Sequence, residues 1–225
     1  MRNKEKDAAQ IAQKKERIIE EGFRLFAEKG INNVTIPQIA SASGVSRAAF
    51  FLYFPSKLDL VVAISVRKWG EYISANNGRL TPEEQERMSG AQHLRWYMDS
   101  FLDLYRNHRD ILCFNYEFNS FLRSELTSPE QKYAYMQMVD ELGRFFHDVY
   151  EKGMRDGSLR KDISEEVMFS SSFHIMLAAV TRYAVGLVYI LDQGSDPESE
   201  LEMLKELLLS RYTNEGTDLK ARSLH

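Results

Sequence analysis

Between residues 35 and 57 the chain carries three helix starts and one helix stop, a crowding that leaves room only for short helices joined by tight turns. Thr35-Ile36-Pro37-Gln38 is a capping box with proline in the first helical turn. Ile36, Ile39, Ala40 and Ser43 then line the inner face of a short helix. Gly44 can adopt the positive φ that stops it, and Ser46 caps a further helix beginning at Arg47. Ser56-Lys57-Leu58-Asp59 opens another, running to about Asn76. Upstream, Ile19, Gly22, Phe23 and Phe26 share one face of a first helix that closes at Lys29-Gly30. Two short helices joined by a glycine turn make a helix-turn-helix.

The remaining sequence keeps the helical period. Leu94, Met98, Phe101, Leu102 and Tyr105 mark a long amphipathic helix, and Phe114, Phe118, Phe121 and Leu122 another. Ser128-Pro129-Glu130-Gln131 caps a third, continued by Tyr135, Met138, Leu142, Phe145 and Val149. Gly157-Ser158 breaks the pattern before an almost wholly apolar helix over 164–192, and Asp196-Pro197 starts the last helix. Thr81-Pro82-Glu83-Glu84 can cap one short helix inside the polar stretch 76–90. No alternating strand pattern or repeat occurs, and 12 Gly with 5 Pro in 225 residues are few for a turn-rich fold. The expected fold is all-α with about nine helices: a helix-turn-helix domain over 1–56, a helical bundle over 57–212, and a disordered tail over 213–225.

Composition narrows the function. Residues 1–60 hold ten Lys/Arg against seven Asp/Glu, whereas the whole chain carries a net charge of −4, so the remainder is strongly acidic. A basic head on an acidic body suits a nucleic-acid-binding module joined to something else. The single cysteine, Cys113, forms no internal disulfide, which points to a reducing compartment, the cytoplasm. The opening residues are charged and lead into no apolar segment, so no signal peptide is expected. The apolar run 175–191 is short and carries Arg182, so it reads as a buried helix and not a membrane span. No Glu precedes a His by three residues, the five His lack metal spacing, and no phosphate loop or nucleophile motif is present. Neither an enzyme nor a metal or other cofactor is expected.

The helix starting at Arg47 has two faces. Phe50, Tyr53 and Phe54 point toward the preceding helices and form the core of a miniature domain. Arg47, Ala48, Phe51 and Leu52 lie on the opposite side, with Ala49 near its edge. A solvated helix face does not ordinarily show Phe and Leu together, so this face has a partner.

Phe26 and Gly30, Thr35 with Ile39-Ala40, the Gly44-Val45-Ser46 turn, and Tyr53-Phe54-Pro55-Ser56-Lys57 together resemble the DNA-binding domain of the TetR family of bacterial repressors. The resemblance covers roughly the first 60 residues; beyond them it is only one of helical architecture. It implies that the outward face of the third helix enters the major groove of duplex DNA. Arg47 can pair with guanine O6 and N7, and Ala49 and Leu52 can touch thymine methyls. Thr35 and Lys57, at helix starts, can grip phosphates, against the plainer reading of a cap and a solvated lysine. Positions 49 and 51 more often carry hydroxyls in the family, so Ala49 and Phe51 offer contact without a hydrogen bond. With Ser46 and Ala48 these make up the expected DNA-binding set.

The resemblance further implies a repressor that a small-molecule effector releases from a palindromic operator, and a homodimer formed by the last two helices. Trp96, Phe101, Phe114, Glu117, Phe118, Phe121, Phe173 and His174 are the candidate pocket residues, although aromatic stripes at helical spacing are more often core. Ala178, Arg182 and Gly186, with Leu201, Leu204 and Leu208, are the candidate dimer contacts. The alternative is a DNA-bound regulator controlled by a protein partner, and a remote one is a helical-bundle enzyme.

Overall fold

A computed structural model of the protein describes residues 2–125, 129–187 and 196–214. These fold into ten helices: α1 (Arg2–Lys29), α2 (Ile36–Ala42), α3 (Arg47–Tyr53), α4 (Lys57–Asn77), α5 (Pro82–Arg87), α6 (Gly90–Asn107), α7 (Arg109–Glu125), α8 (Pro129–Asp156), α9 (Glu165–Ala184) and α10 (Pro197–Tyr212). The fold is all-α, as the periodicity predicts. The tenth helix is the short α5, whose Thr81–Glu84 capping box forms as written. Among the described residues no single helix is long and apolar enough to cross a membrane.

The chain divides into two compact units, Met1–Glu71 with Cys113–Met138, and Tyr72–Leu112 with Val139–His225. This division differs from a single cut after residue 56, and the reason is burial. The apolar face of α1 needs cover that the two short helices α2 and α3 cannot give alone. Part of it comes from α4: a Cβ placed on Gly22 would lie 3.1 Å from Leu60 and Ile64 side-chain carbons, so the two helices approach closely there. More comes from α7, where Phe114 packs on Phe23 and Phe26 with ring centroids 5.6 and 6.4 Å apart. Ion pairs Arg67–Glu16 at 2.7 Å and Lys68–Glu20 at 2.6 Å lace α4 to α1 on the outside.

In the second unit, α6 and α8 meet where neither can carry a side chain. A Cβ on Gly90 would sit 2.1 Å from Gly153 Cα, and one on Gly153 would sit 2.2 Å from Leu159 Cγ. The free N–H groups that open α6 are taken up by side chains: Gly90 N–H donates to Asp156 Oδ2 at 2.7 Å and Ala91 N–H to Ser158 Oγ at 2.9 Å. The break at Gly157-Ser158 therefore both ends α8 and caps α6.

Two expectations need correction. The helix expected over 164–192 ends at Ala184, because Gly186 adopts φ +74° and closes it; residues 188–195 lie outside the described residues. Thr213 and Asn214, expected in a disordered tail, are held: Thr213 bridges Leu159, and the Asn214 amide donates to the Gly157 and Leu159 carbonyls at 2.7 and 2.9 Å. Residues 215–225 lie outside the described residues.

Candidate functional site

In the first unit the turn between α2 and α3 is built by hydrogen bonds the sequence specifies. Thr35 N–H and its hydroxyl both donate to Gln38 Oε1, at 2.8 and 2.9 Å, fixing the start of α2. Gly44 takes φ +66°, and Val45 N–H returns to the Ala40 carbonyl at 3.0 Å. Ser46 Oγ accepts from Ala49 N–H at 3.1 Å and opens α3. Phe50 is fully buried, Phe54 nearly so, and Tyr53 half-buried, which anchors α3 by its inner face.

The outer face is open. Ser46, Arg47, Ala48, Phe51 and Leu52 are exposed and Ala49 is half-buried; Leu52 is 85% and Phe51 42% exposed. Leaving a leucine almost wholly in water forgoes the ~1.5–3 kcal/mol its burial is worth. Two cations of α1 bracket α3. Arg17 stands over the turn, its Nη2 3.3 Å from where a Gly44 Cβ would be, and Lys15 Nζ lies 5.5 Å from the Phe54 ring at the helix end. Sequence reasoning did not single out either residue, because they precede α3 by some thirty positions and only packing brings them to it. Lys57, half-buried, has its ammonium 5.7 Å from the Phe26 ring and 5.8 Å from the Phe121 ring.

The eight candidate pocket residues are divided between the two units. Phe114, Phe118 and Phe121 are core of the first unit, and the Glu117 carboxylate lies against Gly30. In the second unit Phe101 is buried between Tyr97 and Phe173, centroids 5.3 and 6.0 Å away, and His174 is exposed. Only Trp96 reaches a described cavity, of about 210 Å³, lined also by Asn77, Leu80, Gln85, His93, Phe145, Asp148 and Val149. His93 Nε2 and Trp96 Nε1 are buried there without a hydrogen-bond partner. Burial, and then the Lys152 charge, hold the His93 pKa below its ordinary value.

The candidate dimer residues also divide. Leu201 is fully buried within its own unit, and Gly186 is the helix stop with open space around it. Ala178 is exposed, and Arg182, Leu204 and Leu208 are half-buried. The most exposed apolar side chains of α9 and α10 are Val167, Ile175, Met203 and Leu207, the last two 60% and 58% exposed. α10 is fixed in this orientation by charge: Arg95 pairs with Glu206 at 2.5 Å and Lys205 with Asp99 at 2.7 Å. Burial works against the Lys205 charge, but hydrogen bonds from Asp99 and Glu202 outweigh it and raise its pKa.

A helix-turn-helix with an open, cation-flanked third helix is a recognisable class, and the relatives agree with it. Residues 18–64 match the family described as bacterial regulatory proteins, tetR family. That stretch, from α1 into α4, is thus similar to the DNA-binding domain of the TetR family. An uncharacterized HTH-type transcriptional regulator of Bacillus subtilis, YerO, is 34% identical over 100 residues, which are 44% of this chain and 34% of that protein. The matches thus span about a third or less of the first curated relatives. Among solved structures, a putative transcriptional regulator from Saccharomonospora viridis in complex with choline aligns with a TM-score of 0.71 at 19% identity, over 89% of this chain and 98% of that one. The regulator FadR from Bacillus subtilis, in complex with stearoyl-CoA, aligns with a TM-score of 0.65 at 18% identity, over 86% and 97%. Identities this low establish the fold alone.

Proposed function

We propose that this protein is a sequence-specific DNA-binding transcriptional regulator, a homodimeric repressor released from a two-fold symmetric operator by a small molecule. The observation that carries the reading is the outer face of α3, where Arg47, Phe51 and Leu52 stand in water between Arg17 and Lys15. A guanidinium at the start of a groove-sized helix can read guanine through two parallel hydrogen bonds. Exposed apolar groups beside it fit thymine methyls, and the flanking cations fit phosphates. The exposed apolar groups of α9 and α10 fit a second copy, which would present a second α3. Two such helices read half-sites about 34–36 Å apart, or a multiple of that spacing.

Selection from random duplexes tests this. It is expected to return a palindrome, and Arg47→Ala should relax one base pair per half-site by about 1–3 kcal/mol of discrimination. Enrichment of no sequence, or of asymmetric ones only, would refute the reading.

A further inference from the structure

The second unit holds a cavity whose chemistry is specific enough to name a ligand class. We propose that the cavity lined by His93, Trp96, Phe145, Asp148 and Val149 is the effector site, and that it takes a neutral single-ring aromatic molecule bearing a hydroxyl, a phenol. The assignment of an effector rests on the regulator reading above; the assignment of the cavity and its ligand class rests on the following contacts.

Size sets the first limit. About 210 Å³ exceeds the ~150 Å³ that holds a benzene, but falls short of the ~300–1,000 Å³ of sites for drug-sized ligands. One ring with a small substituent fits, and an acyl-CoA does not. The apolar wall agrees, since Leu80 and Val149 join the rings of Trp96 and Phe145, whose centroids are 5.7 Å apart.

Two polar atoms then define the substituent. Trp96 is 5% exposed, and its Nε1–H, which can only donate, has no acceptor. His93 Nε2 is buried without a partner as well. With the proton of the neutral ring on Nδ1, Nε2 is an acceptor. His93 and Trp96 are three residues apart on α6 and so share one helix face. A hydroxyl, donor and acceptor at once, can meet both: its hydrogen goes to His93 Nε2, and its oxygen accepts from Trp96 Nε1. Leaving both unmet is costly, so filling them favours the bound state.

Charge bears on the neighbouring classes. The Asp148 carboxylate on the wall disfavours an anion such as a carboxylic acid. Burial and Lys152 already disfavour positive charge at His93, and Lys152 is fixed nearby, donating to the Gln85 and Glu86 carbonyls at 2.6 and 2.9 Å. A cationic amine meets that opposition at His93 but attraction from Asp148, so the titration includes one.

Calorimetric titration of the full chain with phenol, toluene, benzoate and benzylamine, without DNA, tests the cavity. Phenol should bind one per chain, and toluene about tenfold more weakly, benzoate and benzylamine more weakly still. Trp96→Phe keeps a ring and removes the unmet N–H, so it should weaken phenol about fivefold and leave toluene unchanged. His93→Leu, an independent variant should the first fold poorly, should likewise erase the preference for phenol over toluene. Equal binding of phenol and toluene, equal weakening of both by Trp96→Phe, or preference for either charged probe would overturn the proposal. A phenol-bound chain that holds its selected operator with unchanged affinity would overturn the cavity's role as effector site. Failure of the wild-type chain to select any operator would overturn the regulator reading instead, and the calorimetry would still decide the ligand class.

Discussion

Each unit leaves apolar side chains in water on a helical face, but the charges around the two faces have opposite sign. On α3, Phe51 and Leu52 follow Arg47, no acidic residue occurs in the helix, and Lys15 and Arg17 stand at its two ends. On α9 and α10, Glu166 precedes the exposed Val167, Glu202 precedes Met203 and Glu206 precedes Leu207. The first face favours a polyanion; on the second, Glu202 and Glu206 are already paired with Lys205 and Arg95 and leave no excess of cations. The second face fits a surface like itself, with apolar groups at the centre and charge at the rim. Exposed apolar side chains alone name no partner; the charge beside them is what separates the two faces.

The largest effect is expected where that contrast is broken on the acidic side. Leu207→Glu changes a residue already 58% exposed in the single chain, so folding should be unaffected. Across a two-fold seam it places two more like charges in a desolvated contact, which costs several kcal/mol. Sedimentation should show monomer with unchanged helical circular dichroism. Operator affinity should fall at least ~100-fold, because linkage of two half-site readers is lost. A mutant that remains dimeric places the interface on another face.

Leu52→Ala is the matching change on α3, and a smaller one. At 85% exposure Leu52 contributes little to stability, so the unfolding midpoint and the dimer should not move. Affinity for the selected operator should drop by about 1 kcal/mol, while non-specific DNA binding stays constant, since an apolar contact to a base edge carries sequence information and no charge. Equal losses on both DNAs would show that Leu52 does not touch bases.

The two faces also differ in how far the sequence discloses them. The helix-turn-helix is legible because its instructions are local: Thr35 with Gln38, Gly44, and Ser46 with Ala49 all act within a few residues and form as expected. Arg17 and Lys15 are illegible because packing alone brings them to α3. The pocket is illegible for a related reason. Phe101, Phe114 and Phe118 recur at helical spacing whether they fill a core or line a cavity, and the three are core. What marks the cavity is an unpaired Trp96 N–H and His93 nitrogen, a property of partners and not of pattern. The three-residue spacing of His93 and Trp96 on an amphipathic helix was the one available signal. Gly186 misleads in the opposite direction: small residues permit close helix packing, yet this glycine supplies the positive φ that ends α9.

The smallest effect concerns Lys57, where the basic face of the first unit meets its core. The ammonium lies within 6 Å of the Phe26 and Phe121 ring centroids and is half-buried, so it contributes packing as well as charge. Those rings hold it at the start of α4, the helix end whose dipole also favours an anion. Lys57→Ala should therefore have two separable consequences. Loss of the cation above the rings should destabilise the free protein by about 0.5–1 kcal/mol, read by thermal unfolding. Loss of one phosphate contact should weaken binding to every DNA sequence alike and flatten the slope of log affinity against log salt by about 0.9. Lys57→Met keeps most of the apolar stem and should show the change in slope with a smaller loss of stability. A loss of stability with an unchanged slope would assign Lys57 to the core alone and leave the phosphates to Arg17, Lys15 and Thr35.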